Sequence, residues 1–315
     1  MATFFISNLN THNFNFEGTR FERLSNDIED KDGIEAQAEK QFRKQHNITF
    51  QAVADDDLHV KPIISNNGLI GVVDDICLLL SLPLSSYVYC YKYTINGITT
   101  PGRILHLADA VGSLMVKLRE IEPFLNTAVQ SLRQPNLAAK TRIIHSIRFL
   151  RAAFCSEFDD VAFMLSWIAL EILANAYASE RGFKTILSKK TFNKIVKPAI
   201  SRALCEIDKA NLPDEQKKLI EDKLSELNRP SIISKVHRLR DAYEWDFMTD
   251  QLIDDCYKLR NSFIHDGTHA GFDQRTLVKL PTRFKDSIQL ALIYMLGCSE
   301  YVPFLENKKI DIRGS

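Results

Sequence analysis

Apolar residues recur along this chain with two different periods, and the change falls near residue 100. Before it, the apolar runs are short and bounded by polar turn material. Phe14-Asn15-Phe16 and Ile48-Thr49-Phe50-Gln51-Ala52-Val53 alternate in the manner of half-buried strands. Tyr87 to Ile95, aromatic and β-branched, is the clearest strand, and Asn96-Gly97 is suited to turn it. Two helices are predicted among these strands. Gly33 to Gln45 is rich in Ala, Glu, Gln and Lys, and Val73 to Leu82 carries Asp74 and Asp75 where a first turn favours acids, stopping before Pro83. The first hundred residues therefore read as an α+β module.

From about residue 103 the period becomes helical. Ile104 to Leu132 has apolar residues at helical spacing, with Pro123 marking a break or a new first turn, and Asn136 suits an N-cap for a helix through Phe154. The strongest pattern follows. Phe158, Val161, Ala162, Leu165, Ala169, Ile172, Leu173 and Ala176 fall on one stripe, which Trp167, Ile168 and Glu171 widen, so this helix is expected to be surrounded by others. Further helices are predicted over Lys189–Leu204, Asp214–Leu227 and Ser231–Tyr243. Asp250 is expected to cap Gln251–His265, in which Leu252, Cys256, Leu259 and Phe263 form a narrow seam. Arg283–Gly297 closes the set, with Ile288, Leu292 and Met295 facing inward. The fold class is mainly α: a smaller α+β module over 1–100, then an all-α region over 101–315.

Composition narrows the function classes. Of 315 residues, 45% are hydrophobic, enough for a full core. Net charge is zero, from 40 basic and 40 acidic residues, so no global field draws the protein to a polyanion. The halves differ: residues 1–100 hold 8 Lys and Arg against 13 Asp and Glu, leaving 32 against 27 for the rest. Acidic residues gather early, from Glu22 to Glu39 and again at Asp55-Asp56-Asp57. Any polyanion is expected to meet the later part. Two stretches there lack acids: 133–156, with Arg133, Lys140, Arg142, Arg148 and Arg151, and 181–202, with Lys189, Lys190 and Lys194 among its cations. Arg238 and Arg240, beside His237, could join such a surface, although a basic run is more often simply a solvated face. The six cysteines are at least 13 residues apart, which disfavours structural zinc and suits free thiols in a reducing compartment. The opening residues lack a signal peptide's basic segment and long apolar core, and no run approaches a membrane span. A cytoplasmic protein without a cofactor is expected. No phosphate-binding loop, serine-hydrolase elbow or zincin motif occurs.

The candidate chemistry lies in Arg260-Asn261-Ser262-Phe263-Ile264-His265, followed by Asp266-Gly267. Five residues separate Arg260 and His265, about 140° around a helix, so the two side chains do not share a face. Asn261 lies one turn before His265 on its face. Gly267 fits the residue just past the helix, which would leave His265 in the last turn, where exposed carbonyls favour imidazolium. His269 follows in the loop. A fixed cation beside a titratable ring suits RNA cleavage, in which a 2′-hydroxyl loses a proton while charge builds on phosphate. The same residues are also common as solvated groups near a helix end.

Arg260 and His265 match the R-x4-6-H signature of HEPN domains. Tyr257 to Gly267 resembles the L-R-N-x-x-x-H-x-G segment of the ApeA-like HEPN family, and Ser166-Trp167-Ile168-Ala169-Leu170-Glu171 resembles the earlier core helix with its W-x-A-L-E pattern. The stretch Asp74 to Ser81 followed by an aromatic strand is similar to regions attached in front of such domains. The firm resemblance covers about residues 140–300. It implies a helical bundle that dimerises with the motif helices at the interface and a composite site. Arg260 and His265 would be the catalytic pair, with Asn261 and Glu171 supporting, the latter as a buried carboxylate orienting Arg260 or the substrate, or as a plain structural ion pair. The implied activity is metal-independent endoribonuclease, as a bacterial toxin or antiphage defence effector, with RNA as partner and residues 1–100 as an accessory or sensing module open to a regulatory partner. Two alternatives stay open: a HEPN fold that no longer cleaves and binds nucleotide, RNA or protein, and a helical scaffold with a chance motif.

Overall fold

The computed structural model describes residues 2–9, 11–24, 48–54, 63, 68–95, 97–101, 115–134, 140–210, 212–266 and 272–302. The predicted helix over Gly33–Gln45, the turn residue Asn96, the start of the Ile104 helix, the Asn136 cap, Gly267 and His269 lie outside them. The described chain is mainly α, with a small antiparallel sheet and one helix in its N-terminal part. It forms two compact units, Met1–Ile172 with Lys258–Ser315, and Leu173–Tyr257.

In the first unit, β1 (Ala2–Ser7), β2 (Phe14–Phe16), β3 (Thr19–Arg23), β4 (Ile48–Ala54), β5 (Tyr89–Ile95) and β6 (Ile98–Pro101) join in the order β2-β3-β4-β1-β5-β6. Alternation decides the faces. Phe4 of β1 pairs with Ala52 and Tyr93, and Ile6 with Phe50; Phe4, Ile6, Phe50 and Ala52 are buried together with Phe21 on β3, while Tyr93 is half-buried. Phe14 stacks on Phe21 at 4.5 Å and 6°. Tyr89 and Tyr91, with Tyr87 just before the strand, are buried in a cluster with Ile48, against which Phe5, Leu24 and Cys155 pack.

Helix α1 (Gly68–Leu84) lies against β5, α2 (Ile121–Arg133), α3 (Lys140–Phe154) and α9 (Gln274–Met295). It begins earlier than the sequence suggests, so Asp74 and Asp75 are interior rather than first-turn residues, and Pro83 ends up inside its last turn. Pro83 lacks the N–H that would bond to the Leu79 carbonyl; one residue earlier the Leu82 carbonyl, left open by the helix end, accepts from Nε2 of the buried Gln289 of α9, which also donates to Ser85 Oγ. Pro281 is likewise accommodated inside α9, which starts at Gln274 behind the cap Asp273, nine residues before Arg283. Pro123 does open a helix, in the first turn of α2.

Helix α4 (Asp159–Glu180) contributes to both units. It is long and apolar enough to cross a membrane by composition, but its apolar residues Phe163, Trp167, Ala169, Leu170 and Leu173 are buried in packing. Phe158 and Val161, expected on its inner stripe, are exposed. The second unit adds α5 (Lys189–Lys209), α6 (Asp214–Ser225) and α7 (Ile232–Ala242), and the start of α8 (Asp250–Asp266). Its core gathers Leu173, Val236, Leu239, Trp245, Met248, Leu252 and Ile253, while α5 buries no residue. Helix α8 is capped by Thr249, whose Oγ1 accepts from Leu252 N–H at 3.2 Å. Asp250 is not the cap, because its carboxylate binds side chains of α7 instead.

Candidate functional site

The site is built on two helices of the first unit. On α4, Trp167 and Glu171 are one turn apart and so share a face. Trp167 is buried, stacked on Phe284 of α9 at 5.4 Å and 20°, which fixes its ring. Its Nε1–H then donates to Glu171 Oε1 at 2.6 Å, a short contact of the kind a charged acceptor makes. The same oxygen accepts from Arg260 Nη2 of α8 at 3.4 Å, with the two charged side chains 26% and 24% exposed. Arg260 Nη1 donates to Asn261 Oδ1 at 3.0 Å, and Arg260 Nε is buried without a partner among the described residues. The packing behind the pair is aromatic: Phe163 of α4 contacts Phe263 of α8 at 5.8 Å and Phe284 at 5.5 Å.

Position along α8 explains these exposures. Cys256 and Ile264 lie one turn to either side of Arg260; Cys256 is buried and Ile264 is 47% exposed. Arg260 therefore sits where the helix passes from the core towards solvent, half-buried and held on one side. His265 lies in the last turn, exposed, with no hydrogen bond or ion pair among the described residues. Arg260, Asn261 and Glu171 are thus brought into one network. His265 is not part of it and stands exposed in the last turn of α8.

The weaker cationic candidates belong to the second unit. Lys189, Lys190 and Lys194 are exposed at the start of α5. Arg238 is exposed on α7, its guanidinium 4.7 Å from the Phe183 ring. Arg240 is bound by Asp241 at 2.6 Å and Asp250 at 2.8 Å, so a phosphate would have to displace two carboxylates. That pairing holds the Asp250 carboxyl below the ordinary carboxylate range. His237 faces acids as well, with Asp250 at 2.9 Å and Asp254 at 3.2 Å. In the other acid-free stretch, Arg133 pairs with Glu17 at 2.8 Å, and Arg151 is buried over the Tyr87 ring at 4.4 Å.

Trp167, in the sequence only part of a pattern, is in the structure the donor that fixes Glu171. The signal was present in the four-residue spacing. Among the described residues no three His, Cys, Asp or Glu side chains gather as a metal site. Compared with known proteins, the chain matches no family model, no curated protein and no solved structure.

Proposed function

We propose that this chain is a HEPN-type endoribonuclease in which Arg260 and His265 act on the phosphodiester of RNA. The observation that carries the reading is the chain of contacts from Trp167 through Glu171 to Arg260, which holds a guanidinium in place on the helix whose last turn carries an exposed imidazole. A cation fixed before substrate arrives stabilises developing charge without reorganising. In the proposed reaction the 2′-oxygen forms a bond to phosphorus as its proton passes to one imidazole. Arg260 meets the charge on the phosphorane oxygens. The bond to the 5′-oxygen breaks as that oxygen gains a proton, leaving a 2′,3′-cyclic phosphate and a 5′-hydroxyl. Base and acid are two roles, and the motif supplies one histidine per chain, so a homodimer with His265 from both copies completes the site. The exposed Lys189, Lys190 and Lys194 suit contacts to RNA phosphates. A toxin or antiphage defence effector in the cytoplasm, with residues 1–100 as its sensing part, fits such an activity.

One observation favours a second reading. Glu171 already matches the charge of Arg260, which weakens its pull on phosphate and suits a HEPN module that binds nucleotide, RNA or protein without cleaving. One experiment separates the two. Purified protein is incubated with RNA in the presence of a chelator, and the product termini are identified. Arg260→Ala and His265→Ala are expected to lower the rate about 10²–10⁴-fold, the usual size of a lost acid–base group, with unchanged circular dichroism and oligomeric state. Cleavage retained by both variants would sink the ribonuclease reading, and RNA binding by the wild type without cleavage would establish the second.

A further inference from the structure

Three helix ends gather at one end of the first unit. Phe163 of α4 contacts Phe263 of α8 at 5.8 Å and Phe284 of α9 at 5.5 Å. Helix α4 begins four residues before Phe163, α8 ends three residues after Phe263, and seven residues separate the end of α8 from the start of α9. Apolar side chains stand open on these ends. Phe158, just ahead of α4, is 67% exposed, Val161 46%, Ile264 47% and Val278 64%. A single exposed apolar residue is ordinary, but several on neighbouring helix ends mark a surface that another molecule covers.

Charge is divided by sign between the same ends. Glu157, Asp159 and Asp160 surround Phe158 in sequence, whereas Arg275, Lys279 and Arg283 accompany Val278 on α9. The three cations are four residues apart, so they follow one side of that helix. All six charged side chains are exposed, and none forms an ion pair among the described residues. Within one chain, then, the acidic start of α4 and the basic side of α9 leave each other unmatched.

We propose that a second copy of this chain docks on this end of the first unit, with the start of α4 in one copy against the first half of α9 in the other. A two-fold axis then generates the reverse contact, so the surface answers itself. Acids of each copy meet cations of the other, and the four apolar side chains are covered between them. Other occupants match only half of it. The phosphates of RNA suit α9 and are repelled at the start of α4, and a peptide of one charge sign meets the same conflict. Ile264 directly precedes His265, so this contact brings the histidines of both copies to the interface; on that point the inference rests on the composite ribonuclease site proposed above.

The test is sedimentation equilibrium of the full-length protein over micromolar concentrations, where the wild type is expected to be a dimer. Glu157→Lys with Asp159→Lys, and separately Arg275→Glu with Lys279→Glu, should each weaken self-association by about tenfold or more, because like charges then face each other in both contacts. Mixing the two variants in equal amounts should restore a dimer, since opposite charges meet again across it. Phe158→Ser should weaken the dimer without rescue by mixing. Circular dichroism checks each fold, and if Phe158→Ser is unfolded the charge reversals decide alone. A wild-type monomer, reversed variants that dimerise as the wild type does, or a mixture no tighter than its components overturns the proposal. RNA cleavage is followed in parallel. A dimer that ignores these substitutions yet cuts RNA overturns this surface alone, and a dimer that obeys them and cuts no RNA overturns the ribonuclease reading alone.

Discussion

A single oxygen, Glu171 Oε1, accepts from both Trp167 and Arg260. Its value to the fold depends on how dry it is. With both charged side chains about a quarter exposed, the attraction is screened, and the pair is worth less than a fully buried one. Glu171→Gln keeps the shape but leaves the half-buried Arg260 without its counter-charge. It is expected to cost about 1–2 kcal/mol, read as a lower urea midpoint at unchanged slope. A midpoint equal to wild type would mean that the contact contributes nothing net. The residues of this network were legible unequally. The Trp167–Glu171 contact follows from spacing on one helix, because residues four apart share a face. The contact from Glu171 to Arg260 crosses between helices, and no period encodes which helix lies opposite; only the resemblance suggested it. The azimuth of His265 was equally readable, yet its isolation was not, since exposure is set by what the rest of the chain leaves uncovered.

Helix ends show how local geometry translates into stability. At the end of α9, Gly297 N–H donates to the Tyr294 carbonyl and Cys298 N–H to that of Ile293, with Gly297 at φ 74°. A methyl group there would lie 3.4 Å from Ser131 Oγ, which itself donates to the Leu296 carbonyl at 2.7 Å. At the end of α4, Gly182 has the same conformation, φ 75°, but open space around it. Gly182→Ala and Gly297→Ala therefore both carry the backbone penalty, about 1 kcal/mol each, the second with its methyl at ordinary contact distance from Ser131. Thermal melts should place both variants below wild type; a variant as stable as wild type would refute the backbone argument at that position. Elements with polar punctuation were the ones legible in the sequence. Ser231 and Pro213 sit directly before α7 and α6, where the sequence placed those helix starts. Prolines punctuate less reliably: the expected stop before Pro83 fails, and Pro281 lies inside α9, ahead of where the sequence places that helix start. β1 (Ala2–Ser7) adds a strand that the sequence analysis does not predict, although Ala2, Phe4 and Ile6 alternate along it.

The distribution of cysteine ties the core to the response of the whole molecule to alkali. Four of the six thiols, Cys77, Cys90, Cys256 and Cys298, are buried, Cys155 is half-buried and Cys205 is exposed, in keeping with the expectation of small buried hydrophobes. Burial disfavours the thiolate, and it pushes Cys77 well above its ordinary value and Cys90 and Cys298 up to about 12 each. In the unfolded chain the same thiols ionise near 9.0. Above that pH the unfolded state gives up protons which the native state keeps, so it binds fewer protons and stability falls as pH rises. The decline begins near pH 9 and runs to about 12, with each thiol removing about 1.4 kcal/mol per pH unit within the window. Tyr89, also raised by burial, acts in the same direction at higher pH. Lysines titrate in this range too, so the measurement is comparative: urea unfolding at pH 8 and pH 10.5 for wild type and for Cys90→Ala with Cys298→Ala. The double variant should be less stable at pH 8, through lost packing, and should lose less on going to pH 10.5. Equal losses in the two proteins would show that these thiols ionise within the fold as readily as outside it, and a native protein in which only Cys205 reacts quickly with a thiol reagent would show the opposite.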